Sequence, residues 1–194
     1  MTWPNRITYV RILLIPVFAI AVLEIKHHPA YRFVAFGLFA AMAVGDLLDG
    51  LVARRFKLVS IEGKFIDPLA DKLLMTTACV FLALPMWGMP DSQAPLAGEV
   101  AVIIIARDVL ICVWVVATFL AGTRRVYEPT RLGRLTTFVQ MVALGSTLAG
   151  TIWADVYGYV AVPLSYAAAA ITIASGLQYA YMHARTISFH GSNE

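Results

Sequence analysis

Charge is what this chain has least of. Only 14% of its 194 residues are Asp, Glu, Lys or Arg, while 60% are hydrophobic; a soluble domain carries about a quarter charged residues. Mean hydropathy is +0.75. That balance excludes a water-soluble globule and any nucleic-acid partner, and the length fits one domain, residues 1–194. Cysteine is scarcer still. Cys79 and Cys112 sit in apolar runs without metal-ligand spacing, which reads as two inert buried thiols rather than a disulfide or a zinc site. The histidines (His27, His28, His183 and His190) show no ligand spacing either. No internal repeat or low-complexity tract is visible.

What the chain has in abundance is long apolar runs. Crossing about 30 Å of hydrocarbon takes about 20 residues, and six stretches are long enough: 7–25, 32–53, 65–87, 97–121, 132–153 and 159–182. The expected fold is therefore an all-α integral membrane protein with six transmembrane helices. Short turn-like connections such as "KHHPA" and "ADVYG" separate the runs. Ala19-Ile20-Ala21 has the look of a cleavage site, but the apolar run continues to Ile25 and Arg11 lies inside it. A retained helix is expected, not a removed signal peptide.

Basic residues set the orientation. With six spans, one side carries Arg6, Arg54, Arg55, Lys57, Lys64, Arg124, Arg125, Arg131, Arg134 and Arg185, and the other carries only Lys26 and Arg32. Both termini are expected in the cytoplasm, in a bacterial-type inner membrane.

Against this background the acids are concentrated. Of seven aspartates, four (Asp46, Asp49, Asp67 and Asp71) fall within "GDLLDGLVARRFKLVSIEGKFIDPLADKLL", residues 45–74. Asp46, Asp49, Gly50 and Ala53 follow the i, i+3, i+4, i+7 spacing of one helix face; Gly63, Asp67 and Asp71 make a matching stripe on the next helix. Carboxylates gathered beside lipid repel one another and are costly to desolvate unless a cation lies between them. Oxygen donors without His or Cys select Mg²⁺, Mn²⁺ or Ca²⁺ over zinc. Two such ions about 4 Å apart would clamp a phosphoryl group. Structural salt bridges to Arg54, Arg55, Lys64 and Lys72 are the plainer alternative, which the two glycines in the same stripes fit poorly.

The pattern Asp46-x2-Asp49-Gly50-x2-Ala53-Arg54-x8-Gly63-x3-Asp67-x3-Asp71 resembles, without gap or substitution, the signature of the CDP-alcohol phosphatidyltransferases. Six helices in a chain of this length are also similar to that family. The resemblance implies transfer of a phosphatidyl group from CDP-diacylglycerol to an acceptor hydroxyl, with release of CMP. It implies Asp46, Asp49 and Asp67 as metal ligands, with Asp71 a further ligand and the base that takes the acceptor's proton. Asp49, Gly50, Ala53, Arg54 and Gly63 would form the CDP pocket, with Mg²⁺ or Mn²⁺ as cofactor. A homodimer is implied as well.

The opening "PNRITYVRILLIPVF" resembles the start of the phosphatidylglycerophosphate synthases and the CMP-forming cardiolipin synthases, with Asn5, Thr8 and Arg11 entering the site from the first helix and Thr8 reaching CDP. The alternative for Arg11 is a snorkelling side chain at a helix start. Arg107 and Asp108 lie mid-span, where ionisable residues are rare and usually functional. Neighbours in sequence do not face each other on a helix, so each is expected to find its partner elsewhere. "LGRLTTFVQM" resembles a stretch of the same branch, and Arg131 and Arg134 with Arg107 are the expected acceptor contacts. Arg124 and Arg125 read as headgroup contacts.

Many glycerophosphate-using members carry Lys-x-Lys-Thr where this chain has Arg134-Leu135-Thr136-Thr137, Arg-Glu in place of Arg107-Asp108, and an arginine where Val115 and Val116 stand. The Arg-Asp pair looks like the cardiolipin synthases, whose acceptor is phosphatidylglycerol. The density of arginine nonetheless favours glycerol 3-phosphate, a small dianion that must be held by charge-assisted hydrogen bonds. Two other classes are open: a divalent-cation transporter, which should place its acids near mid-membrane, and an inactive scaffold, which would not need every motif residue.

Overall fold

The computed structural model describes the backbone of residues 3–56, 63–84, 95–120 and 130–190, and the side chains of 10–46, 71–84, 95–114 and 130–182. Among these residues the fold is all helix. The order is α1 (Trp3–Glu24), α2 (Tyr31–Phe56), α3 (Gly63–Ala83), α4 (Gly98–Leu120), α5 (Arg131–Gly150), a single turn α6 (Ala154–Val156), a π-helical turn (Tyr157–Ala161) and α7 (Val162–His190). Over the described residues each long apolar run corresponds to one long helix, the sixth together with the π-helical turn that precedes it. The sixth starts earlier than expected, because "ADVYG" is helical and not a loop. Gly150 explains this: a Cβ there would come within 2.9 Å of the Tyr157 Cα, so only glycine lets the π-helical turn fold back onto the end of α5.

Helix α1 packs against α2 and α3, while α7 packs against α4 and α5; α2 and α3 also touch α5. The shared core is built from Phe18 and Val22, Phe39, Leu74, Met75 and Leu82, Ile104, and Leu144 and Leu148. The Phe18 and Phe39 rings tilt together at 6.0 Å, and Gly145 leaves room for the Phe39 edge. The α5–α7 seam differs in being polar. Gln140 Nε2 donates to Thr172 Oγ1 at 2.9 Å, and that hydroxyl donates to its own helix at Ala168 O (2.6 Å), with both side chains fully buried.

The outward faces are as apolar as the interior. Leu13 is 71% exposed, Leu110 68%, Leu177 66% and Val102 65%. Exposing this much hydrocarbon to water is unfavourable, and such surfaces mark contact with lipid or protein. The segment Ala154–Met182 is long and apolar enough to cross a membrane. One expectation fails here. Cys79 is buried, but Cys112 is exposed, because its position on α4 falls on the outward face beside Val109 and Val113.

Candidate active site

The carboxylate stripes begin where the apolar part of α2 ends. Helix α2 continues unbroken through Asp46 to Phe56, and α3 runs from Gly63 through Asp71. The backbone therefore has the helical spacing that the stripes require. Asp46 and Asp71 are described in full. The side chains of Asp49, Gly50, Ala53, Arg54, Gly63 and Asp67 lie outside the described residues, as do those of Asn5 and Thr8.

Asp46 accepts a hydrogen bond from Arg11 of α1, whose side chain is only 4% exposed. Arg11 is thus a buried counter-ion to the first carboxylate and does not snorkel. Asp71, on the other helix that packs against α1, lies within electrostatic range of Asp46, Lys72, Arg11 and Asp108. Its Oδ1 is buried and has no hydrogen-bond partner among the described residues. A buried acceptor left open costs about 1–3 kcal/mol, so an orphaned carboxylate oxygen among other charges marks a place for a donor or a cation. Among the described residues no three His, Cys, Asp or Glu side chains converge, two of the four aspartates being outside that set.

A second charged group lies next to the first. Lys72, the residue after Asp71, reaches across to Asp108 Oδ1 of α4 at 2.5 Å. The same oxygen accepts from Arg107 Nη1 at 2.8 Å. Arg107 and Asp108 therefore do meet, against the premise that neighbours on a helix do not, while the expectation that each finds a partner elsewhere holds. The arginine stem is long enough to curl back along its own helix and bring its head to the neighbouring carboxylate. Each residue also has a partner on another helix: Lys72 for Asp108, and for Arg107 the Ser175 hydroxyl of α7, to which Nη2 donates at 3.0 Å.

Arg107 ends beside the first turn of α5. Its Nη2 lies 3.4 Å from where a Cβ on Gly133 would stand, and Thr130 Oγ1 lies 3.2 Å from that point. The glycine is needed for this approach. Thr130 caps the helix, its hydroxyl accepting from the Gly133 N–H at 3.0 Å. Arg131 and Arg134 flank Gly133 and are exposed, whereas Arg107 is buried. Thr136 is fully buried and donates to Leu132 O at 2.8 Å. Sequence reasoning missed the α7 side of this group. Thr172, Ser175, Gly176 and Tyr179 share one face at i, i+3, i+4, i+7; the Tyr179 ring centroid is 6.0 Å from Arg107 Cζ, and a Cβ on Gly176 would lie 3.8 Å from Arg107 Cγ.

The family model for CDP-alcohol phosphatidyltransferases matches residues 1–174. The chain belongs to the CDP-alcohol phosphatidyltransferase family. Among its relatives, a protein named probable phosphatidylglycerophosphate synthase from Mycobacterium tuberculosis is 33% identical, covering 90% of this chain and 78% of the relative. The CDP-diacylglycerol–glycerol-3-phosphate 3-phosphatidyltransferase of Rickettsia felis is 34% identical over 91% of this chain and 92% of its own. A Schizosaccharomyces pombe fusion of CMP-forming cardiolipin synthase with a mitochondrial hydrolase is 34% identical over 92% of this chain and 30% of the fusion. As a phosphatidyltransferase of this family the chain is an enzyme, and Asp46 and the open Asp71 oxygen lie on the two helices, α2 and α3, that carry the aspartate stripes, with Arg11 reaching Asp46 from α1.

Proposed function

We propose that the chain is a membrane-embedded enzyme of six transmembrane helices, a single domain with both termini and its active site on the cytoplasmic side, that makes phosphatidylglycerophosphate from CDP-diacylglycerol and glycerol 3-phosphate. The observation that carries the site assignment is that α1 has charged neighbours on both motif helices: Asp46 of α2 is held by Arg11, and Asp71 of α3 lies within the field of both with a buried oxygen open. The apolar outward faces of α1, α4 and α7 support embedding, and the ten-to-two distribution of basic residues supports the orientation. The names of the relatives support the acceptor.

The donor set fits a hard divalent cation, since both described carboxylates are oxygen ligands and one oxygen has no other partner. Asp46, Asp49, Asp67 and Asp71 would hold Mg²⁺ or Mn²⁺, two ions on the family's pattern. What bound cations supply is neutralisation of the diphosphate and of the departing CMP. Thr8, Asp49, Gly50, Ala53, Arg54 and Gly63 bind the CDP moiety. Asp71 accepts the proton of the acceptor hydroxyl, whose oxygen forms a bond to the phosphatidyl phosphorus as the bond to CMP breaks. Arg107, Arg131 and Arg134 bind the acceptor's phosphate.

Purified protein given CDP-diacylglycerol and one acceptor at a time should release CMP with glycerol 3-phosphate. Release only with phosphatidylglycerol, giving a four-chain lipid, would establish the second reading, a CMP-forming cardiolipin synthase. The adjacent Arg107 and Asp108 and the fission-yeast relative favour that reading.

A further inference from the structure

The cluster around Arg107 contains more positive than negative charge. Arg107 and Lys72 share one carboxylate, Asp108, so the trio carries one excess positive charge, and Arg107 and Asp108 are each 7% exposed. A guanidinium has five N–H donors. Here two are engaged, Nη1 with Asp108 and Nη2 with Ser175, while Nε is buried and without a partner. A buried cation with open donors favours an anionic ligand over water.

The arginine is also held unusually firmly for a residue with a flexible stem. Its own helix supplies Asp108, which Lys72 of α3 anchors. Helix α7 supplies the Ser175 hydroxyl, the Tyr179 ring and, at Gly176, the space for the stem. Helix α5 supplies Gly133, whose missing side chain lets the guanidinium reach the turn that carries Arg131 and Arg134. Ser175 lies one residue beyond the part of the chain that the family model matches.

We propose that Ser175 is a positioning residue for acceptor binding: by accepting from Nη2 while Asp108 accepts from Nη1, it fixes the Arg107 guanidinium toward the acceptor's phosphate at the start of α5. This rests on the acceptor reading above. Preorganising an arginine matters because ordering a free one on binding takes back much of what its hydrogen bonds contribute.

The test is steady-state CMP release by Ser175→Ala and Ser175→Thr against wild type. Ser175→Ala should raise the KM for glycerol 3-phosphate about tenfold, the worth of one charge-assisted hydrogen bond, with the KM for CDP-diacylglycerol unchanged. Ser175→Thr, which keeps the hydroxyl that accepts from Nη2, should restore the KM toward wild type. A merely structural serine would instead lower thermal stability and shift both KM values together, which would overturn the inference. Wild type active with glycerol 3-phosphate, with an unmoved KM in Ser175→Ala, would overturn the inference alone. Wild type inactive with glycerol 3-phosphate would overturn the acceptor reading itself.

Discussion

Arg11 of α1, buried, and Asp46 of α2, half-buried, form an ion pair at the point where an apolar helix becomes a carboxylate stripe. The arginine is a counter-charge to the cluster, as Lys72 is beside Asp71, and it competes with any cation that binds Asp46. Arg11→Met should therefore lower stability in EDTA by about 1–3 kcal/mol, the penalty for an unpaired polar group. Mg²⁺ should restore more stability to the variant than to wild type, since a ligand of the folded state stabilises by mass action. Denaturant titration in detergent, with and without Mg²⁺, measures both. Identical curves for variant and wild type would remove Arg11 from the site.

Activity itself should depend on Mg²⁺ or Mn²⁺ and vanish in EDTA. Asp46→Asn should weaken metal and CDP-diacylglycerol binding together, because the two are held by one set of oxygens. Calorimetry of metal binding, separate from turnover, gives the decisive reading.

Asp71→Asn separates binding from chemistry. Turnover should fall by ~10²–10⁴, as for loss of a general base, while affinity for CDP-diacylglycerol is largely kept. Wild-type turnover in this variant would place the base elsewhere.

Arg134 is exposed at the start of α5, so its removal should leave the fold intact. Arg134→Ala should raise the KM for glycerol 3-phosphate by about tenfold and leave that for CDP-diacylglycerol nearly unchanged. Equal effects on both would make it a general headgroup contact instead.

The orientation is checked by labelling. With Cys112→Ser and Cys79→Ala as background, Lys57→Cys and Glu128→Cys should react only from the cytoplasmic side and Ser92→Cys only from outside. These positions lie outside the described residues, so the expectation rests on the basic residues alone. Labelling of position 57 from outside would invert the topology.

How much of this was legible beforehand depends on the kind of signal. Long apolar runs and helical spacing of Asp46, Asp49, Asp67 and Asp71 are local properties, and the helices follow them. The Arg107–Asp108 contact was misjudged because the spacing rule concerns Cβ directions, whereas a long stem can bend back to its neighbour. Ser175 and Tyr179 passed unnoticed because "ASGLQY" reads as ordinary apolar helix. The i, i+3, i+4, i+7 pattern of Thr172, just before it, with Ser175, Gly176 and Tyr179 was the available cue, but a serine there gains meaning only once Arg107 is placed opposite. The helical start of the last segment was hidden for a similar reason: Gly158 suggests a turn, and the deciding residue, Gly150, lies eight positions earlier.

The polar seam between α5 and α7 has a consequence for assembly. Between greasy helices, dispersion contacts discriminate weakly between one vertical alignment and the next, since one leucine fits where another did. Gln140–Thr172 and Arg107–Ser175 are different, because they tie one helix to two others at points one turn apart on α7. A slip of α7 by one turn, about 5.4 Å, would bring at most one of the two hydroxyls opposite a partner, and leave either the Gln140 amide or the Arg107 Nη2 without the hydroxyl it now meets. The pair therefore works as a ratchet stop, fixing the height of the final helix as it docks and setting Ser175 level with the arginine it holds.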